Sequence, residues 1–422
     1  LDYSPNGANF SATARASDGE MVGRLRPSKQ FNASGNLTYR ELQVLSTDLT
    51  NLEPARTLLG RIDATVNTLK GGLRSNTTYE IGSGQEPLIE FVYLFVGAGQ
   101  GQYIWLDSLY NNDGKIQPNE MEIAPFTDIA DHIRVSIFTD EFIRADNVTL
   151  NQSVQIDPSR WWAKSEVKWQ QFVNRFSWQS SLSINRKVRA FEGVQTWNPF
   201  QLSLPDTALV AVSANQRHIL FFNRRSTKYD LQLEHNVQPR RQVPTTGFES
   251  RLQRNTILRA RWNITDASTL RLETARSFRS SDSEFFNNKD FNLSGYLLQP
   301  AISYQPGQDY RITLTYLQQE ETNQLPESDE QIRRNEFQVE GNYQQNLRLS
   351  ARYVQLKLDG DPRSPVGFVL LNGLQPGRNW IWIASLTRQL GRYLQMTLTY
   401  EGRQTGQAPT VHVGRAQVTA IF

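Results

Sequence analysis

The residues best placed to hold a metal ion run from Asp107 to Glu120: Asp107-Ser108-Leu109-Tyr110-Asn111-Asn112-Asp113-Gly114-Lys115-Ile116-Gln117-Pro118-Asn119-Glu120. Calcium loops draw oxygens from positions one, three, five, seven and twelve, with glycine at six for the sharp turn. With Gly114 at six, Asn111 falls at three, Asp113 at five, the Lys115 carbonyl at seven and Glu120 at twelve. Position one is then Leu109, which offers no ligand oxygen, and Asp107 stands two residues early. Asp107 reaches the site only if the loop bulges. Two readings stand: a calcium site that stiffens a loop without doing chemistry, or a solvated Asx turn at Asn112-Asp113-Gly114.

A second set of charged residues repeats at alternate positions: Arg259, Arg261, Arg271, Glu273, Glu336, Glu340, Arg348 and Arg352. Both signs share the polar phase of their segments, as in a narrow lumen where charges pair and set selectivity. Catalytic chemistry is sparse, and no enzyme is expected. The four histidines, His132, His218, His235 and His412, show no metal-ligand spacing such as HExxH. Arg224-Arg225 with Lys228, and Arg240-Arg241, suit phosphate groups of lipids or a solvated rim.

The elements that carry these residues alternate with period two almost throughout. Tyr310, Ile312, Leu314 and Tyr316 interleave with Arg311, Thr313 and Thr315, and Phe337, Val339 and Tyr343 with Glu336, Gln338 and Glu340. The same pattern recurs at 176–184, 258–264, 347–353 and 394–401. In a soluble sandwich the apolar face meets a second sheet. In a membrane barrel it meets lipid, and the polar face lines the lumen. Aromatics at strand ends (Tyr310 with Tyr316, Phe337 with Tyr343, Tyr353, Tyr400) match interfacial girdles and favour the barrel. A soluble sandwich or propeller is the alternative fold.

Composition agrees. The chain has 422 residues, of which 38% are hydrophobic and 21% charged, and it contains no Cys. That is short of the roughly 45–50% apolar content of globular domains, which excludes a large helical core. With 45 basic against 42 acidic residues there is no one-sided basic surface for nucleic acid. No stretch approaches the roughly 20 apolar residues of a spanning helix. The start, Leu1-Asp2-Tyr3, reads as processed or as a piece of a longer protein. The expected fold is an all-β, transmembrane, antiparallel up-and-down β-barrel of about 14–18 strands, an even number being usual. It occupies 1–422 as a single domain, with 1–56 open as barrel strands or a lead-in. Long loops are expected at 98–130, 279–290, 320–333 and 359–377, and a tight turn at Leu390-Gly391-Arg392.

Three motifs resemble one family. They are Gly373-Leu374-Gln375-Pro376-Gly377-Arg378-Asn379-Trp380, His412-Val413-Gly414-Arg415-Ala416-Gln417, and Gly101-Gln102-Tyr103-Ile104-Trp105-Leu106-Asp107 followed by Asp113-Gly114 and Glu120. They are similar to the C-terminal barrel of large outer-membrane proteins of the Bacteroidota, over about 57–422. The closing strand ending in Phe422 partly matches an outer-membrane sorting signal, with Ala420 where an aromatic is usual. The resemblance implies a bacterial outer-membrane address and a barrel, while the family's molecular role is poorly defined. The functional expectation is a porin-like passage or a barrel subunit of a larger envelope complex. The alternative is a non-conducting structural or secretion-linked barrel that anchors partners. Implied partners are outer-membrane lipids and lipopolysaccharide, the barrel assembly machinery during insertion, and proteins of an envelope complex. Calcium is the one cofactor the sequence suggests.

Overall fold

A computed structural model of the chain describes residues 2–6, 9–49, 54–110, 112–189, 196–202, 209–242, 248–284, 287–326, 328–344 and 346–420. The described residues are nearly all β. The first strands are β1 (Asp2–Asn6), β2 (Asn9–Ser28), β3 (Phe31–Val44), β4 (Ala55–Thr68) and β5 (Leu73–Phe95). Two three-residue strands follow, β6 (Tyr103–Trp105) and β7 (Met121–Ile123), then β8 (His132–Ile156), β9 (Phe176–Val188) and β10 (Leu209–Phe222). After these come β11 (Tyr229–Gln242), β12 (Glu249–Asn263), β13 (Ser268–Ser283), β14 (Phe291–Tyr304) and β15 (Tyr310–Asn323). The last are β16 (Gln331–Tyr343), β17 (Leu347–Asp359), β18 (Gly377–Gln389), β19 (Leu394–Thr405) and β20 (Val411–Ala420). The two α-helices are short: α1 (Lys168–Val173) and α2 (Pro365–Leu371). Seventeen of the twenty strands have ten residues or more. That lies within the expected 14–18, although among the described residues it is not even. No described helix is long and apolar enough to cross a membrane.

The chain's contacts gather into two compact units. The first holds Leu1–Glu90, Phe138–Leu220 and Asn236–Ser250, the second Phe91–Ile137, Phe221–His235 and Arg251–Phe422.

In the first unit β1 to β5 pair in succession, each antiparallel to the next. Most of residues 1–56 therefore run as strands. Strands β2, β5 and β8, of 20, 23 and 25 residues, exceed the ~9–11 that a tilted spanning strand needs. Along β8 and β9 the sidedness departs from expectation. Ile184 and Val188, in the apolar phase of β9, are buried with Val148 and Leu150 of β8. Arg186 lies in that same buried phase and donates to the carbonyls of Thr196 and Asn198 at 2.9 and 2.8 Å. A guanidinium among aliphatics is tolerated because carbonyl oxygens replace its water. Alternation gives the phase of a strand and does not say which phase is covered.

In the second unit β13 to β20 form an antiparallel meander with a continuous register. The distribution of exposure is inverted relative to a soluble protein. Ile302, Ile312, Leu314, Tyr316, Phe337 and Leu349 are each 39–49% exposed. On the opposite face Glu234, Glu321, Glu336 and Arg403 are only 5–6% exposed. The register aligns the apolar side chains of this face into rows: Ile302 opposite Leu314, Leu314 opposite Val339, Val339 opposite Ala351, Ala351 opposite the half-buried Trp382. A second row is wholly aromatic, Tyr316, Phe337, Tyr353 and Trp380 on adjacent strands, with Tyr353 and Trp380 in ring contact at 4.7 Å. At the other end of the apolar band Tyr304 lies against Tyr310, and Tyr343 is paired with Tyr310. Tyr296 and Tyr304 are eight residues apart on β14, a separation of roughly 26 Å along a strand.

Strands run farther than the loops read from sequence: β13 reaches Ser283, β15 reaches Asn323, and β16 starts at Gln331. Beyond the apolar band both faces become polar, so hydropathy alternation fades while the hydrogen-bonded ladder continues. The 390–393 turn is tight, with Leu390 N–H donating to Leu394 O at 2.8 Å. A cluster of buried apolar residues lies at the long-loop end of this unit's polar face. There Val366, Leu370 and Leu371 of α2 and the following Leu374 cover Leu293, Ile332, Val354, Leu356 and Ile381.

Candidate functional site

The segment between β5 and β8 folds onto the second unit as a structured loop. Strands β6 and β7 pair, Tyr103 opposite Ile123 and Trp105 opposite Met121, and close residues 106–120 into a neck. Asp107 begins a single helical turn, with Leu109 N–H donating to Leu106 O and Tyr110 N–H to Asp107 O, both 2.9 Å. That turn absorbs the two residues by which Asp107 stood too early. Its carboxylate then reaches across the loop and accepts from the N–H groups of Asp113 and Gly114, both at 3.0 Å. Gly114 has φ +73°, and Asn112 also lies in the left-handed region, so the sharp turn falls where sequence placed it.

One carboxylate oxygen from each of Asp107, Asp113 and Glu120 lies within 4.8 Å of the other two. Of the other residues read as ligands, Asn111 lies outside the described residues. Lys115 is exposed, and its N–H donates to Asp113 Oδ1 at 2.8 Å. Glu120 is wholly buried. Trp105 Nε1–H donates to its Oε2 at 2.8 Å and Gln117 N–H donates to the same oxygen at 3.3 Å. Its Oε1 has no hydrogen-bond partner.

The loop is held at Glu122, Phe126, Thr127 and Asp128. Tyr110 OH donates to Glu122 Oε1 at 2.9 Å, and Lys289 Nζ donates to the same oxygen at 2.8 Å. Burial, reinforced by the Glu122 charge, pushes the Tyr110 phenol far above its ordinary pKa, so it stays a donor. Farther along, Phe126 packs against the α2 cluster, and a Cβ at Gly373 (φ +77°) would clash with Pro125 and Phe126. Arg403 of β19 holds Asp128 in a bidentate pair at 2.5 and 2.6 Å and lies 4.2 Å from the Phe126 ring centroid. Arg415 of β20 donates to Thr127 Oγ1 at 2.7 Å.

All three motifs that carried the family resemblance meet at this seat. Gly101 fits where a side chain would strike the His132 backbone at 2.5 Å. Asn379 is fully buried, bonding the Gln375 carbonyl and N–H, so that Leu374 drops into the core and Gly373 meets the loop. In the third, Arg415 touches the loop, while His412 lies on the exposed side, 2.8 Å from Tyr400 OH. Arg403 and Asp128, the strongest tether, were not singled out by sequence; each has another charge close by (Glu401, Asp131), and no spacing links the two.

The tether has a pH signature. Arg403, by hydrogen bond and charge, holds the Asp128 carboxyl below the usual carboxylate range. A lowered folded-state pKa gives stability that is present above the unfolded value and lost as pH falls through the folded one. The loop is therefore expected to stay seated through the ordinary carboxylate range and to release only below it. Hydrogen exchange of the 126–130 amides against pH checks this, and Asp128→Asn should abolish that acid transition.

The alternating charges pair along the polar face. Arg259 bridges Glu234 and Glu273 at 2.6 and 2.7 Å, and Arg261 pairs with Asp230. Glu336 takes both Arg334 and Arg352, and Glu340 takes Arg348 at 3.1 Å. Arg271 is the exception, with no ion pair among the described residues; it lines a polar recess of about 340 Å³ with Asp266, Ser303 and Arg311. The histidines are dispersed: His132 is buried against Asp131, His218 stacks on Trp178, and His235 Nδ1 lies 2.9 Å from Thr256 Oγ1. Of the basic pairs, Arg224 lies over Phe221 and Arg241 over Phe248.

No protein-family model and no curated protein sequence matches the chain. Among solved structures it is similar to the siderophore receptor PirA of Acinetobacter baumannii (10% identity, TM-score 0.39, covering 96% of this chain and 64% of the receptor). It is also similar to P. aeruginosa FpvA bound to heterologous pyoverdines (9%, 0.39, covering 96% and 58%). A third is Salmonella typhi OmpF in complex with daunomycin (7%, 0.31, covering 90% and 92%). The chain spans about three fifths of the length of the two receptors. Likenesses this distant carry no weight in the functional reading, which rests on the chain's own faces.

Proposed function

We propose that the chain is an integral β-barrel of the bacterial outer membrane whose polar face lines a porin-like passage for small solutes. The observation that carries this reading is the inverted sheet of the second unit: a continuous apolar face left exposed, with paired charges on the other, among them the buried Glu234, Glu321, Glu336 and Arg403. Soluble monomers rarely expose so continuous an apolar face, and where one occurs it marks a protein or membrane contact. In lipid it is the stabilising face, and the aromatic rows sit at headgroup level. A sheet in lipid must also close, because an unpaired edge finds no water. The ion pairs along the polar face set a transverse field that selects solutes by charge. Bacteroidota origin rests on the three motifs alone. The partners proposed are outer-membrane lipids and lipopolysaccharide, the assembly machinery that inserts barrels, and other proteins of an envelope complex.

A second reading has a specific observation in its favour. The 96–132 loop and α2 fill the long-loop end of the polar face with packed side chains, as suits a barrel that anchors partners and conducts nothing. Single-channel recording of the detergent-folded chain in a planar bilayer separates the two. Steady conductance steps are expected for a passage. A silent bilayer containing folded β-protein would move the reading to the anchoring subunit.

A further inference from the structure

We propose that Asp107, Asp113 and Glu120 bind a divalent cation of the calcium type, and that this ion fixes the loop between β6 and β7 in its seated form. The acidic cluster alone does not carry this. What does is the unpartnered Oε1 of a wholly buried Glu120, whose side chain turns into the cluster.

Burying a carboxylate oxygen without a donor costs free energy, and two further carboxylates close by add like-charge repulsion. No Lys or Arg pairs with Asp107 or Glu120 among the described residues; the nearby Lys289 is committed to Glu122. Backbone N–H groups and one indole N–H hold Asp107 and Glu120 in place and leave oxygen lone pairs for another ligand. A cation satisfies Oε1 and cancels the repulsion together.

The chemistry selects among cations. An all-oxygen donor set with no His or Cys suits a hard ion, and several carboxylates on a flexible turn suit calcium's variable coordination better than magnesium's strict octahedron. The Lys115 carbonyl follows Gly114 at the position where such loops add a main-chain ligand. Asp113 is exposed and Asp107 half-buried, which leaves the ion a path of entry. From this site the effect passes through Trp105 and the β6–β7 neck into the seat at Glu122 and Asp128. The consequence for a passage rests on the barrel reading; the binding itself does not.

Terbium luminescence on the detergent-folded full chain tests it, because Trp105 lies within energy-transfer range of the site. Sensitised emission should appear on adding terbium and be displaced by calcium, with half-displacement at roughly 10⁻⁴–10⁻³ M, the extracellular range. Glu120→Gln and Asp107→Asn each remove one charge from the donor set and should weaken calcium by about tenfold or more. A variant-free measurement guards against misfolding: calcium should slow tryptic cleavage after Lys115 relative to chelator, by about the same factor. Emission that calcium cannot displace, or that Glu120→Gln leaves unchanged, with cleavage indifferent to calcium, would overturn the site and leave an Asx turn. A silent bilayer alongside calcium-displaceable emission would sink the passage and keep the ion.

Discussion

Leu314→Arg is expected to abolish folding into lipid vesicles, whereas Thr315→Arg, one residue along, leaves it intact. Leu314 is 39% exposed in the middle of the apolar rows, opposite Ile302 and Val339. A cation at the midplane of a lipid-facing band costs about 2–4 kcal/mol, comparable to much of a domain's net stability. Thr315 points to the polar face, where a further guanidinium joins other charges. Heat-modifiable electrophoretic mobility reads the folded fraction in vesicles, and urea titration reads the loss. The same pair tests the soluble alternative. If the exposed face met water, Leu314→Arg would be neutral or improve solubility, and Thr315→Arg would be the damaging change. That outcome would overturn the membrane assignment.

Arg403→Ala is expected to unseat the 96–132 loop and, in a conducting barrel, to raise the conductance step. The guanidinium forks onto both oxygens of Asp128 and stacks on Phe126, so alanine removes a bidentate pair and a packing surface at once. Breaking a buried pair by deleting one partner costs about 3–5 kcal/mol. Asp128 keeps 23% of its side-chain exposure, which places this change at the lower end. Arg403→Lys, which keeps the charge and loses the fork, should fall between alanine and the parent. Arg415→Ala removes a single bond to Thr127 and should do little. Hydrogen exchange at residues 124–130 measures the unseating independently of current. An Arg403→Ala chain with mobile loop amides and parental conductance would show that the loop does not constrict the passage.

The sequence by itself determined the β class, the phase of most strands in the second unit, and the two ends of the apolar band at Tyr310 and Tyr316. Each follows from local chemistry: side chains alternate across a strand, and aromatics mark where apolar gives way to polar. It also determined the sharp turn at Gly114, since only a permissive residue accepts that backbone. Tertiary structure decided the rest. Whether a strand's apolar phase is covered depends on what packs against it, and Ile184 with Arg186 went the other way. Asp107 entered the cation loop because one helical turn took up two residues, a local geometry that spacing rules do not contain. The seat on Arg403 and α2 joins residues 275 positions apart in one ion pair. No period or motif records such a pairing, because its free energy exists only once the chain has brought both charges out of water.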